Sequence, residues 1–488
     1  TLVPALQYGL GLITHAGNAW VDIAYLLGFL MALVVGARWE AAASGQLADG
    51  LFLAVGIASL FSVGLELHQW LRLDRLDTWS MGGGVVRPFA NFGQPNQLAT
   101  FLLWGLLATL WGLIRKHVGG RTAVGVALYL LFGLALTASR TAWLAVGLIV
   151  VTAWFWRRIW PDQRVPLAMT WLSLYFVLCT IAIGPLSQII FGGVPSEMGD
   201  LTRMSGESRP AIWAMFLDAV RQRPLWGYGW NQVTLAQIAV SDAHPLQTVY
   251  AHSHNLFLDL VLWCGVPLGG LVSAWLIWWF WRRIQKIPSP ENATLILFLI
   301  VVGNHAMLEL PLHYAYFLLP VGMVMGALEV RLGVHPVILS ARWLLAVLWL
   351  MSAILIGLIF RDYRQVEIQY QTLRFEWAHI RTAAIAPPNL LLLTQWRDFF
   401  RLARFDPPAG MSAADLQSMR DVSGLYPSGI FIQRLATALA LNHQPREAAL
   451  WLRRLCEVGG ELQCAAVKKA WVRQAHSSPE IAAVSWPN

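Results

Sequence analysis

The sequence predicts an all-α fold: a polytopic helical membrane protein of about 10–12 transmembrane helices, closed by a C-terminal helical domain on the outer side. Three observations carry that prediction. Of 488 residues, 57% are hydrophobic and only 13% are charged, where a soluble domain carries about 25% charged residues. Mean hydropathy is +0.53. Tryptophan occurs 26 times, and it concentrates at membrane interfaces. A net charge of +8 raises nucleic acid as a partner, but the basic residues are scattered through short loops. That is a topology signal, so the partner it implies is the lipid bilayer.

Crossing roughly 30 Å of hydrocarbon takes about 20 apolar residues. Such runs lie near 19–37, 48–66, 97–114, 122–138, 141–156, 166–190, 254–281, 293–311, 314–330 and 341–360. Residues 1–14 read either as the remnant of another span or as a membrane-surface stretch. A chain opening at Thr1 rather than Met points to an upstream piece removed or left out, and no signal-peptide pattern is present. One set of alternate loops holds twelve Lys and Arg, and the short loops of the other set hold Arg72, Arg75, Arg87 and Arg140. The positive-inside rule makes the first set cytoplasmic. Residues 67–96, 139–141, 191–253 and everything after 361 are then outside. The expected domains are 1–360, a transmembrane unit that includes the outer loop 191–253, and 361–488, an outer helical domain.

Within the long loop, Ile212, Trp213, Phe216, Leu217 and Val220 recur at helical spacing after Pro210, with Arg209, Asp218, Arg221 and Arg223 between them. This predicts an amphipathic helix along the outer surface, followed by a tight turn at Gly227 and Gly229. Past 361, "SGIFIQRLATALALNHQPREAALWLRRLCEVGG" predicts two antiparallel helices around a turn at Asn442 to Pro445, of tetratricopeptide type but in one copy. Cys179 and Cys264 fall in spans and read as packing residues. Cys456 and Cys464 flank Gly459 and Gly460, which leaves a disulfide open on the outer side.

Four clusters of polar residues stand at the outer ends of the spans. "RPFANFGQPNQLATF", 87–101, contains Asn91, Gln94, Asn96 and Gln97 around Gly93 and Pro95; it is either a helix-capping turn or an anion site at a helix N-terminus. "TASRTAW", 137–143, pins Arg140 between two spans, as a snorkelling cation or as a directed anion site. The third cluster is Arg203, Glu207 and Arg209 by the surface helix, charges that such a helix carries in any case. The fourth joins "HSHN", 252–255, to "NHAMLELPLHYAYFLLP", 304–320. His305, Glu309 and His313 share a helical stripe if Pro311 does not break it. Ionisable groups within spans are functional candidates. His252, His254, Glu309 and His313 have the ligand types of a zinc site, but no His-Glu-x-x-His or finger spacing supports one, so no metal is expected. A neutral histidine at a wet membrane edge can instead accept a proton, and arginines nearby hold phosphate. That combination suits attack of a hydroxyl on a lipid-linked phosphosugar.

"ANFGQPNQLAT", "SRTAW", "ESRPAIWAMFLDAVRQRPLWGYGWNQ", "HSHNLFLDLVLWCGVPLGG" and "LELPLHYAYFLLP" occur in the order seen in the bacterial pilin-type protein O-oligosaccharyltransferases, the PglL kind. These lie within the O-antigen ligase and Wzy polymerase superfamily. The chain resembles them over most of its length. The resemblance implies periplasmic transfer of a glycan from undecaprenyl diphosphate to a Ser or Thr hydroxyl of an acceptor protein, a pilin above all, with no cofactor. It implies an inner-membrane protein whose site and C-terminus face the periplasm. His254 is then the base; Arg140, Arg209 and Arg203 bind the diphosphate; His252, Asn255, Glu309, His313, Gln94 and Asn96 support them. Leu268 and Asp259 depart from the pattern, which has Gly, Thr or Tyr at the first position in O-antigen ligases and Gln at the second. Rival readings are an O-antigen ligase, a repeat-unit polymerase and, in another class, a transporter of lipid-linked sugar, which would show paired broken helices and internal repeats.

Overall fold

The computed structural model describes residues 2–73, 87–191, 209–285, 287–333, 342–380 and 386–487. Arg203 and Glu207 lie outside them. The described residues form α-helices and no strand. In chain order these are α1 (Leu2–Gly9), α2 (Ala16–Ala42), α3 (Gln46–Trp70), α4 (Pro95–Ile114), α5 (Gly120–Leu136), α6 (Arg140–Phe155) and α7 (Arg164–Ile190). There follow α8 (Arg209–Gln222), α9 (Val233–Val240), α10 (Leu256–Ile284), α11 (Pro290–Ala306), α12 (Ala315–Arg331) and α13 (Arg342–Trp377). The last six are α14 (Gln395–Arg404), α15 (Ala413–Leu425), α16 (Gly429–Leu441), α17 (Pro445–Val458), α18 (Gly460–Ala475) and α19 (Pro479–Ala482).

Each of the ten apolar runs coincides with one helix. Among the described residues six helices are long and apolar enough to cross a membrane: α2, α3, α4, α7, α10 and α13. The chain is a polytopic helical membrane protein. It folds as two compact units, one of residues 1–28, 208–275 and 341–488, the other of residues 29–207 and 276–340.

The second unit packs its spans around Phe52, Trp104, Trp111, Phe298 and Phe317, all at most 2% exposed. Trp104 stacks on Phe298 with centroids 3.8 Å apart and donates its indole N–H to the Phe298 carbonyl at 3.0 Å, which settles its polar end in the apolar interior. Gly36, Gly322 and Gly326 let α2 and α12 approach until a Cβ would meet the other backbone, the usual role of small residues between membrane helices. Basic residues of the predicted cytoplasmic loops pair with acids: Arg115 with Asp49 at 3.1 Å, Arg283 with Glu329 at 2.6 Å and Arg331 with Glu40 at 2.9 Å.

In the first unit the core is Phe431, Ile432, Leu435, Leu439, Leu452 and Leu455, each at most 1% exposed. The antiparallel pair α16 and α17 forms as the apolar spacing predicts. Cys456 and Cys464 are bonded, with Cα atoms 4.8 Å apart. Asp362 is fully buried on α13 and accepts the backbone N–H groups of Leu391, Leu392 and Leu393 at 2.8, 2.6 and 3.1 Å. This fastens the loop before α14 to a helix that began as an apolar span.

Two sequence expectations change here. α8 forms at the predicted place, but Ile212, Met215, Phe216 and Ala219 are at most 1% exposed. Its apolar face is consumed by protein contacts instead of resting on a surface. The stripe His305–Glu309–His313 is broken earlier than Pro311 suggests. α11 ends at Ala306, and Pro311–His313 is a separate 3-10 turn, so His305 alone of the three is helical.

Candidate functional site

The residues singled out from sequence divide between the two units. In the first, "HSHN" is the entry to α10. Asn255 caps that helix, accepting the N–H groups of Phe257 and Leu258 at 3.1 Å each, as a short amide side chain does at an N-cap. Its place is thus capping. Asp259, one turn into α10 and 3% exposed, accepts the Ser253 N–H at 2.8 Å. The Ser253 hydroxyl donates to the Asn255 carbonyl at 3.0 Å. These bonds close the loop tightly enough to hold His254 at φ 60°, a left-handed conformation uncommon for a residue with a Cβ. Strain of this kind persists where the surroundings over-determine the backbone.

The His254 ring contacts the His252 ring edge-on, with centroids 4.2 Å apart, and Tyr250 at 6.2 Å. Asp259 interacts electrostatically with His254. From α8, the Trp213 indole donates to the Ser253 carbonyl at 3.1 Å. Arg209 is four residues before Trp213 and so shares that face of α8.

α10 is broken at Gly265, φ 74°, which the run 254–281 did not reveal. The turn "RPLWGYGW" docks into the break. Tyr228 N–H donates to the Leu262 carbonyl at 2.8 Å, Gly229 to Trp263 at 3.2 Å and Val266 to Pro224 at 2.7 Å. A break in a membrane helix frees backbone groups that protein must satisfy, and this turn satisfies them. α1 contributes as well: Gln7 donates to the Trp263 carbonyl at 2.8 Å and accepts the Trp230 N–H at 3.0 Å.

In the second unit, the N-terminal ends of α4 and α6 meet the segment after α11. Asn96 donates to Glu309 at 3.3 Å and accepts the Ser139 hydroxyl at 2.7 Å. Ser139 also caps α6 by accepting the Ala142 N–H at 3.3 Å. Asn304 donates to the Thr141 carbonyl at 3.0 Å, and His305 pairs with Thr100 at 2.8 Å. Glu309 is buried, at 6% exposure, and accepts from the Asn96 amide. Gln94 is the N-cap position of α4 without a side-chain cap bond. His313 stays partly exposed, yet desolvation pushes its pKa down to about 4, so it is a neutral imidazole at pH 7.

Arg87 was not among the expected binders, and the structure brings it here. Its Nε donates to the Thr137 carbonyl at 3.0 Å, while Nη2 is buried with no hydrogen-bond partner among the described residues. Burial lowers its pKa, repulsion from Arg140 lowers it further, and Glu309 opposes both. Two guanidinium groups against one carboxylate leave local positive charge that an anion would complete. The clue was present at the head of "RPFANFGQPNQLATF", but only folding joins it to Arg140. Among the described residues no three His, Cys, Asp or Glu converge as a metal-binding group.

Three family models match the chain in order. Residues 88–111 match the protein glycosylation ligase, residues 125–273 the O-antigen ligase, and residues 293–469 the C-terminal region of the virulence factor membrane-bound polymerase. These stretches contain Asn96, then Arg140, Arg209 and His252–Asn255, then Glu309 and His313. The chain is 29% identical over 459 residues to a general O-oligosaccharyltransferase of Acinetobacter baylyi, covering 91% of this chain and 80% of that protein. It is 29% identical over 248 residues to a ComP-specific O-oligosaccharyltransferase of the same organism, covering 50% of this chain and 44% of the relative. No solved structure matches it.

Proposed function

We propose that this glycosyltransferase, which belongs with the O-oligosaccharyltransferases of the O-antigen ligase superfamily, moves a glycan from undecaprenyl diphosphate to a Ser or Thr hydroxyl of an acceptor protein such as a pilin. His254 takes the hydroxyl proton as the oxygen attacks the anomeric carbon. The bond from that carbon to the diphosphate breaks, and its electron pair leaves with the diphosphate oxygen. Arg140, Arg209 and Arg87 bind the diphosphate and stabilise the charge that grows on it. Asp259 stabilises His254 once protonated, Asn255 and His252 set the loop, and Asn96 and Glu309 brace the arginine end. Arg203 is a further diphosphate binder in this reading, and Gln94 lines the donor or acceptor approach. The mechanism needs no metal or cofactor.

The observation that carries the reading is the surplus of guanidinium over carboxylate at Arg87, Arg140 and Glu309. A diphosphate offers negative oxygens in the geometry that guanidinium forks take. We place the site, and the domain from 361 onward, on the periplasmic face of the inner membrane. The excess of Lys and Arg in the opposite loops supports that orientation, and so does the Cys456–Cys464 disulfide. The O-antigen ligase match over 125–273 favours one alternative, a lipid A core acceptor.

Purified protein incubated with undecaprenyl-diphosphate glycan and a pilin peptide tests both. Transfer to the peptide is expected, with His254→Ala reducing kcat by at least about 100-fold, the lower end of what a general base supplies. Undiminished transfer by His254→Ala rejects the base. Glycan appearing on lipid A core and never on protein rejects the acceptor.

A further inference from the structure

Within the first unit, an open cleft of about 710 Å³ lies among α2, α13, α14 and the 231–251 stretch. Val249 and Ala251 line it, immediately before the His252–Asn255 loop. Its walls are aromatic: Tyr370, Trp377, Trp396, Phe399 and Tyr426. Trp396 is tilted against Phe399 at 5.0 Å and Tyr426 at 5.9 Å, so the rings brace one another as a continuous surface. Hydrogen-bond acceptors stand between them. Asp22 is 4% exposed and Gln395 is 5% exposed. One Asp22 oxygen accepts from Asn231 at 2.7 Å, but Oδ2 has no partner among the described residues, and neither does Gln395 Oε1.

A buried acceptor without a donor costs about 1–3 kcal/mol, so two of them in one cleft point to a ligand rich in donors. Among the described residues no Lys or Arg lines the cleft, so these walls are not built to take an anion. A sugar ring fits on both counts. Its hydroxyls, each donor and acceptor, hydrogen-bond to the carboxyl and amide groups, and its C–H face lies on the negative face of an aromatic wall. An extended peptide would have to bond through its backbone, and among the described residues no strand edge is available to it.

We propose that this cleft is a saccharide subsite that holds sugars of the donor glycan beyond the one being transferred at its anomeric carbon. The proposal rests on the glycosyl-transfer reading above and adds where glycan length is sensed.

The test compares two donors with the full chain in detergent: undecaprenyl diphosphate bearing one N-acetylhexosamine, and the same lipid bearing a trisaccharide. Binding of the free trisaccharide is followed separately by saturation-transfer NMR, which needs no turnover. Trp396→Ala is expected to raise KM for the trisaccharide donor at least tenfold, to leave the single-sugar donor within twofold, and to abolish the NMR signal. Trp396→Phe should restore part of both. Asp22→Asn, which keeps the side chain's size, should weaken trisaccharide binding without lowering the unfolding temperature, and so separates recognition from folding. No NMR signal with the unaltered protein overturns the subsite. Equal effects on both donors overturn it too, and a change confined to acceptor KM makes the cleft a peptide site instead. A bound trisaccharide with no transfer of any donor would reject the reaction and leave the subsite standing.

Discussion

Arg87 donates one hydrogen bond, to the Thr137 carbonyl, and keeps Nη2 buried without a partner among the described residues. A guanidinium cannot escape that position by losing its proton; Glu309 offsets its desolvation in part, and an anion would offset more. Replacing it with Gln should therefore reduce kcat/KM for the lipid-diphosphate donor on the order of 100-fold, the usual cost of removing one charge-stabilising donor. Arg87→Lys should recover part of that loss, because it restores charge but not the planar fork. Steady-state transfer assays decide this, and unchanged kcat/KM in Arg87→Gln would remove Arg87 from the site. His254 belongs to the same scale. Its residue type and neighbours marked it in the sequence, whereas its left-handed backbone and the Asp259 brace could not be read there. Both depend on a loop closing over a helix end.

α10 carries the argument at the next scale. As a run of apolar residues it is one span, yet Gly265 interrupts it and the 223–230 turn fills the gap. The two segments interlock through glycines. Gly265 (φ +74°) faces the Leu225 carbonyl and Gly227 (φ +67°) faces the Leu262 carbonyl, each so near that a Cβ would strike backbone. Gly265→Ala should accordingly destabilise the fold by about 3 kcal/mol through strain and collision, with the His252–Asn255 loop displaced. A lowered unfolding temperature in detergent, together with lost transfer, is the expected result; a wild-type melting curve would show that the two segments do not depend on each other. The break also bears on the transporter alternative, which required paired broken helices and internal repeats. α10 has its break filled by backbone from the 223–230 turn, next to the loop that carries the proposed base. The capping serines Ser139, Ser289 and Ser428 emerged with the structure, but helix positions were legible because hydrophobic length acts locally. The break was not, since Gly-Val-Pro in an apolar run is compatible with a continuous helix until something packs against it.

For the whole molecule, the compact units do not follow the linear order of the chain. α8, α9, the His loop and the C-terminal helices share one unit, joined by bonds such as Thr234 to the Leu425 carbonyl at 3.2 Å and Gln247 N–H to the Glu457 carbonyl at 2.8 Å. The C-terminal helices are thereby physically continuous with the loop that carries the proposed base, which is the arrangement an acceptor- or glycan-recognising element needs. Orientation is testable at this scale. A reporter that matures only in the periplasm, fused after Asn488, should be active, and a cytoplasmic reporter at the same position should be silent. The reverse pattern would overturn the topology and, with it, the compartment of the reaction.

Composition and the spacing of apolar runs by themselves determined that this is a multi-pass helical protein, where its helices lie, and which polar motifs need explaining. Those properties follow from the length of hydrocarbon to be crossed and from local helix signals, both written within a few consecutive residues. Only the tertiary structure decided which motifs meet: Arg87 with Arg140 and Glu309, Asp259 with the histidine loop, the 223–230 turn with the break in α10. Such pairings link residues far apart in sequence, and they are selected by the need to satisfy buried charges and freed backbone groups where water is excluded.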